Sequence, residues 1–396
     1  MADVSTREVL THLRNVLPQY VFAPRPQRLG WFVLHLTVVL GGVLLGLGQG
    51  LGATHIPSWT LPFLSVAVGA SMAGLAFVAH EVMHGAVVKN ATARRWIAQL
   101  AWAPFCLSAD LWAAWHNRAH HPHTNVAGRD PDAYPTEEEY LNYPWARWTV
   151  EVGAPGMRRF RGILMTLLGG FSIQSLQMLL TAQRRGLLTG ARWRRALLHS
   201  ALMWAAWAAW ASVVGVHLAL VLYVVPLLIA NAVVMGYILT NHSLQRGVDA
   251  DEPLATTLSV MVPRWYAAYS LQFGYHVEHH LFPGVSHVHG PLIQRELLRL
   301  VPHRYRHMSL IEAWRRIHRT PRVRRDQVWL VDPPTGHVAR TLGDDTGSDD
   351  LPAALASRFV PVVMVSAVDR GVAASLPRPP SVPPPSSRRA SELPQG

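Results

Sequence analysis

The chain has 396 residues, half of them hydrophobic and only 15% charged, with a formal net charge of +12. That balance excludes a disordered polymer and a secreted disulfide scaffold. The single cysteine, Cys106, excludes an internal disulfide, a zinc knuckle and an iron–sulfur cluster; any metal must be held by nitrogen or oxygen, and 21 histidines offer nitrogen.

In chain order, the N-terminal segment 1–28 carries Arg7, Arg14, Arg25 and Arg28. It shows no signal-peptide pattern, because the first long apolar run starts near residue 29 and continues for a full span. From Leu29 to Ala79, and again from Ala196 to Gln245, there is no Asp, Glu, Lys or Arg. A helix needs roughly 20 apolar residues to cross a ~30 Å hydrocarbon core. Each window therefore predicts a helical hairpin, with spans near 29–50 and 60–79, then near 196–215 and 218–240. A soluble core helix of that length would show a charged face.

Between the hairpins lie two weaker apolar stretches. Trp96–Trp115 is interrupted by Pro104 and Asp110, and Gly162–Leu180 is bounded by arginines at both ends (Arg158, Arg159 and Arg161, then Arg184 and Arg185). Both are expected to lie at the membrane interface, the second as an interfacial or re-entrant helix. Arginines flank the outer ends of both hairpins and are absent from their turns. The positive-inside rule then places both termini and the long middle segment in the cytoplasm. The same distribution accounts for the net charge and speaks against nucleic acid, which would call for one basic stripe. From about Pro321 to the end the chain reads as a tail. It has an acidic patch (Asp344, Asp345, Asp349, Asp350), a possible strand at Phe359–Val368 and a Pro/Ser-rich end expected to be disordered. The expected fold is thus all-α and integral to the membrane: four spans in two hairpins over 29–320, with interfacial helices and a cytoplasmic helical cap.

Twelve of the 21 histidines fall in four short places. These are His80 and His84; His116, His120 and His121, with His123; His242 after Asn241; and His276, His279 and His280, with His287 and His289 beyond. On a helix, residues four apart share a face, so His80 with His84 and His116 with His120 each form a claw, with His121 turned about 100° away. In the expected topology all four places meet one membrane face. A lone histidine at a helix end, such as His242, commonly serves as an interfacial hydrogen-bonding group. Three boxes on one side leave that reading little room. Imidazole suits Zn, Cu, Fe and Ni. Eight or nine are too many for one ion, since zinc takes about four ligands, and suit two ions.

Three boxes, His80-Glu81-Val82-Met83-His84, His116 through His121, and His276-Val277-Glu278-His279-His280, separated by paired spans, resemble the membrane fatty acid desaturase family. The strings His120-His121-Pro122-His123-Thr124-Asn125 and Leu281-Phe282-Pro283 strengthen the likeness, which covers about Leu29 to Thr320. The resemblance implies an O2-dependent enzyme with two non-heme irons that removes two hydrogens from an acyl chain. It implies His80, His84, His116, His120, His121, His276, His279 and His280 as iron ligands, His242 as the ninth, and Asn241 as a water-mediated neighbour. Unactivated C–H bonds lie beyond side-chain acids and bases, so such chemistry needs a cofactor.

Around these, Asp130 and Asp132 either orient ligand histidines or form a plain Asp-Pro turn. Glu81 and Glu278 adjoin the boxes. Trp102, Phe105, Trp112 and Trp115 either line an acyl tunnel or anchor the interface. Electrons must come from a separate donor that is ferredoxin-, rubredoxin- or cytochrome b5-like, expected to dock on the arginine-rich face. Three other readings compete. His80-Glu81-Val82-Met83-His84 is also the H-E-x-x-H of zinc proteases, with Glu81 as base. A metal transporter would place its ligands near the midplane. A hydroxylase or ketolase would share the same boxes.

Overall fold

In the computed structural model, which describes residues 5–342, nearly all regular structure is helical. The sequence readings beyond Leu342 (the acidic patch, the Phe359–Val368 strand and the Pro/Ser-rich end) lie outside the described residues.

Helix α1 (Thr6–Val16) begins with a capping box in which Ser5 accepts from Glu8 N and the Glu8 carboxylate accepts from Ser5 N at 2.7 Å. Its Val9 and Leu13 are fully buried. The apolar helices α2 (Leu29–Gly50) and α3 (Leu61–Met83) form the first hairpin. Helix α3 is the inner one, its second half almost wholly buried and rich in Gly, Ala and Ser, which lets neighbours approach closely. At Gly74 there is no room for a Cβ, because the His35 ring of α2 occupies that space.

Helix α4 (Ala91–Ala101) leads through a turn to α5 (Ala109–Trp112), which runs directly into a π-helical segment, Ala113–His120. The stretch from Trp96 to Trp115 is thus two helices with a bend. Asp110 is held by Arg95 at 3.1 Å and Arg195 at 2.6 Å, and Trp102, Trp112 and Trp115 are buried while Trp96 is exposed. Short helices α6 (Glu137–Asn142) and α7 (Pro144–Trp148) precede α8 (Phe160–Thr181). The second hairpin is α9 (Gly190–Val214), then the short α10 (Val216–Ala219) continuing through a π-turn into α11 (Val225–His242).

Five helices among the described residues are long and apolar enough to cross a membrane: 26–50, 58–83, 160–181, 190–214 and 216–242. Four match the expected spans. The fifth, α8, was expected at the interface on account of its arginine ends. The structure meets part of that charge with protein: Arg159 pairs with Asp332 at 2.9 Å and Arg161 donates to Glu151 O at 2.6 Å. Helix α8 is clasped to α11 by Asn231, which accepts from Ser172 N and donates to Ser172 Oγ, both at 2.9 Å.

The cap follows: α12 (Pro253–Thr256), β1 (Ser259–Met261), α13 (Arg264–Tyr269), α14 (His276–Leu281), α15 (Gly290–Leu300), β2 (His307–Ser309) and α16 (Leu310–Arg319). Strands β1 and β2 pair in parallel, Ser259 opposite His307. Helix α1 packs here, its Val9 and Leu13 in one apolar cluster with Val277, Leu281, Ile293 and Leu297.

The boundary drawn at Pro321 moves. Residues 321–342 belong to the fold, as an antiparallel sheet of β3 (Val323–Arg324), β4 (Trp329–Asp332) and β5 (His337–Arg340). Val323, Leu330 and Val331 are buried, as are Arg322 and Arg324, which donate to Pro155 O and Gln245 O. Short strands rich in arginine carry a weak sequence signal, which is why the segment reads as tail.

Gly274 sets up a stability test. A Cβ there would lie 2.2 Å from Val260 O, whereas one at Gly236 in α11 would meet nothing within 4 Å. Gly274→Ala is expected to cost about 1–3 kcal/mol by overpacking, and Gly236→Ala to be neutral or stabilising by up to about 1 kcal/mol. Thermal unfolding of both variants in nanodiscs, compared with the parent chain, checks the contrast.

Candidate metal centre

The first box lies at the end of α3, the second in the π-helical segment and the turn after it, His242 at the end of α11, and the third on α14. The structure brings all nine expected histidines together. They fall into two groups. His80, His84, His116, His121 and His279 present ring nitrogens within 4.8 Å of one another, and so do His120, His242 and His280. His276 joins the second group, its Nε2 2.8 Å from His242 Nε2.

The sorting differs from the simple claw reading. His116 and His120 stack and share Asp132 as a neighbour, yet His116 belongs to the first all-histidine group and His120 to the second. The cause is the π-helical winding of residues 113–120, in which the repeat is wider than 3.6 residues and i, i+5 neighbours come into line. His116 Nε2 therefore meets His121 Nε2 at 3.2 Å. The third box is shared as well, His279 going to the first group and His276 and His280 to the second.

Hydrogen bonds cannot satisfy this crowd. His116 Nε2 faces His80 Nε2 at 3.0 Å and His121 Nε2 at 3.2 Å, and His121 Nε2 also faces His279 Nε2 at 3.1 Å. One neutral ring nitrogen offers a single proton or a single lone pair, so two nitrogen neighbours leave one contact unmet. His84 Nε2 and His280 Nε2 are buried with no hydrogen-bond partner among the described residues. Two nitrogens that bind one ion at about 2.1 Å lie about 3.0–3.4 Å apart, which is the spacing seen. The donor set fits cations held by imidazole.

The outer nitrogens are fixed, which decides what the inner ones offer. His120 Nδ1 lies 3.0 Å from Asp130 Oδ1, His242 Nδ1 3.2 Å from Thr256 O, and His280 Nδ1 3.3 Å from Thr124 Oγ1. The carbonyl and carboxylate only accept. Thr124 spends its own proton on His120 O. All three rings therefore carry hydrogen on Nδ1 and turn Nε2 inward, with a lone pair on His242 and His280 and, on His120, as the nitrogen whose proton a bound cation would displace. His279 Nδ1 is met by His287 Nε2 at 3.0 Å.

Burial, reinforced by neighbouring histidines, holds the pKa values of His116, His121, His276, His279 and His280 well below the usual range. They are neutral, the form that binds metal. Burial opposes protonation of His120 too, but the Asp130 carboxylate overcomes it and lifts the pKa to about 9. Asp130 is correspondingly lowered by His120 against its burial.

Asp130 is both things expected of it. It orients His120, and it closes a turn by accepting from Asn125 N at 2.7 Å and Asp132 N at 2.9 Å. Asn241 is fully buried, with neither side-chain polar atom hydrogen-bonded within the described residues. Glu278 does not face the groups; it accepts from Ser259 Oγ and Tyr305 Oη, both at 2.6 Å, and burial raises it to about 7. His123 bonds only Ala119 O and joins neither group, and His289 accepts from Arg25 Nε at 3.0 Å.

Glu81 is a strut. One oxygen pairs with Arg28 at 2.9 Å; the other accepts from Ser286 Oγ and His287 N. Both oxygens are engaged by protein, so Glu81 is not poised as the general base that the H-E-x-x-H reading requires. Sequence reasoning missed Arg28, Thr124 and the Thr256 carbonyl. Thr124 stood within a quoted string, whereas a backbone carbonyl leaves no sequence signal.

Beside the groups lies a cavity of about 50 Å³ walled by Phe77, Trp102, Trp112, Trp115, Phe171 and Phe273 together with His80, His116, His120, His242 and His276. Phe105 stands behind it, against Phe171. The tryptophans serve this cavity and are not interface anchors.

The fold and the site together define a helical membrane protein whose helix ends bring buried histidines to an apolar cavity. Residues 57–311 match the fatty acid desaturase family, and the chain belongs to that family. It is 30% identical over 129 residues to the sn-1 oleoyl-lipid 12-desaturase of Arthrospira platensis, covering 32% of this chain and 35% of that protein. It is 25% identical over 244 residues to the dihydrorhizobitoxine desaturase of Bradyrhizobium elkanii, covering 59% of this chain and 66% of that protein. The matches thus span about a third and just under two thirds of those relatives' lengths.

Asp130→Asn removes the charge that holds the His120 N–H while keeping the side-chain shape. Metal affinity, measured by chelator competition on the purified chain, is expected to fall about 10–100-fold.

Proposed function

We propose that this protein is an O2-dependent desaturase of an acyl chain, working with two non-heme iron ions. One ion would be held by His80, His84, His116, His121 and His279, the other by His120, His242, His276 and His280. The observation that carries this reading is the pair of histidine groups, unsatisfiable by hydrogen bonds alone, opening on an apolar cavity. Bound iron would supply the O2 activation that an unactivated C–H bond demands. The balance is one O2, two electrons and two protons taken up, two hydrogens removed from adjacent carbons, and two waters formed.

The chain's own residues then have defined tasks. Asp130, the Thr256 carbonyl and Thr124 hold His120, His242 and His280 by their outer nitrogens, so the inner lone pairs stay aimed inward. Phe77, Trp102, Trp112, Trp115 and Phe171 bind hydrocarbon and exclude water from the reacting carbons. The Asn241 amide, buried without a protein partner, is placed to hold a water molecule. With four of the apolar helices crossing and α8 at the interface, the arginine distribution puts the site and both termini on the cytoplasmic side. Electrons come from a separate ferredoxin-, rubredoxin- or cytochrome b5-like protein.

Metal analysis of the purified chain and mass spectrometry of total lipids from an expressing host test the reading together. The expected result is about two irons per chain and a new double bond. His120→Ala should abolish the product while the protein still accumulates in the membrane. One zinc without iron would overturn the reading. A hydroxylated or keto product would transfer the same site to a hydroxylase or ketolase.

A further inference from the structure

The cavity beside the histidines is not closed on every side. A second cavity, of about 260 Å³, adjoins it, and the two share Asp132, Gln174 and Ile238 in their walls. They differ in character. The inner one is walled by aromatic and aliphatic side chains and the histidines, whereas the outer one adds Arg129, Glu139, Gln177 and Arg185. The shared residues form the junction between the two.

That junction is polar. Asp132 Oδ1 accepts from Trp115 Nε1 at 2.6 Å and from Gln174 Nε2 at 2.7 Å, and Asp132 Oδ2 lies 3.4 Å from His120 Nδ1. Gln174 lies on the mainly apolar helix α8, between Ser172 and Gln177. One N–H of its Nε2 goes to Asp132, which fixes the amide's orientation, and its Oε1 makes no hydrogen bond within the described residues. The Asp132 carboxylate also lies within 4.8 Å of ring nitrogens of His116 and His120. The junction is therefore only about one imidazole ring away from the histidine groups.

A plain hydrocarbon threaded through this point would press CH2 groups against an amide oxygen and a carboxylate, which costs free energy with nothing to offset it. A hydrogen-bond donor on the substrate would instead meet Gln174 Oε1. We propose that Gln174 is a specificity-determining residue, and that the substrate carries a hydroxyl or amide N–H a few bonds from the carbons that lose hydrogen. The proposal rests on the desaturase reading for the identity of those carbons. The selection of a donor at the junction stands on the cavity geometry alone.

The test uses the full chain in nanodiscs, with empty nanodiscs subtracted, and equilibrium binding of radiolabelled probes. The probes are dodecanoic acid, dodecanoic acids with one hydroxyl at each position from the second to the sixth carbon, and an N-acylglycine of equal length. A site built around a hydrogen bond rejects the analogue that lacks it. At least one donor-bearing probe is expected to bind the parent chain about tenfold tighter than dodecanoic acid. The hydroxyl and amide arms show which donor is meant. Gln174→Met keeps length but removes the acceptor, together with the N–H that Asp132 accepts, and is expected to bring that probe down to the affinity of dodecanoic acid. Equal affinity for all probes in the parent chain overturns the proposal, and this comparison needs no variant to fold. Preference retained in Gln174→Met overturns it equally. A chain that discriminates among probes yet holds zinc and forms no double bond would keep the junction and lose the reaction.

Discussion

The structure turns on the closeness of nitrogen to nitrogen. Nine imidazoles, most of them buried, crowd together, and six of them bring Nε2 atoms to 2.8–3.2 Å from one another, a density that neutral rings cannot resolve by sharing protons. Everything nearby serves to hold that density in place. Helices α3 and α11 deliver His80, His84 and His242 from the membrane, the π-helical segment and the turn after it deliver His116, His120 and His121, and α14 of the cap delivers His276, His279 and His280. Asp130, Thr124, the Thr256 carbonyl and His287 grip the rings from outside. Arg28 and Glu81 brace the same region from behind, Arg28 by donating to Leu271 O and Gln272 at a left-handed turn just before the third box. The turn precedes Gly274, whose missing side chain lets β1 lie against it.

Much of this was legible in the sequence. Two charge-free windows gave two hairpins because burying charge in hydrocarbon is costly enough to leave a clean gap. The histidine boxes stood out because a residue type that is usually scattered came in clusters at helical spacing. What the spacing misreported was the partition. An α-helical reading pairs His116 with His120, whereas the π-helical segment pairs His116 with His121 and releases His120 to the other group. A π-segment has no composition signature, since it follows from the tertiary demand placed on a helix.

Other misses have the same origin. Glu81 looks like a general base in a short motif and proves to be a strut, because a motif records neighbours in sequence and Arg28 and Ser286 are neighbours only in space. Helix α8 was set apart from the spans by its arginines, and one of those arginines is neutralised by Asp332, a residue assigned to the tail. That tail in turn looked featureless because its buried arginines are satisfied by backbone carbonyls of distant loops.

The β3–β5 segment carries a consequence for how the protein is made. Arg324 bridges to Thr136 and bonds Pro135, Asp332 ties down the start of α8, Gln327 O receives Gly247 N, and Leu342 N reaches Leu244 O just after His242. These are the loops that border the second box and the end of α11. Synthesis runs from the N-terminus and domains generally fold as they emerge. The apolar helices can enter the bilayer early, but the stitches across those loops exist only after residue 342 has been added. The histidines are thus gathered from both ends of a long translation, and the last-made strands are the ones that sew the pocket's border shut.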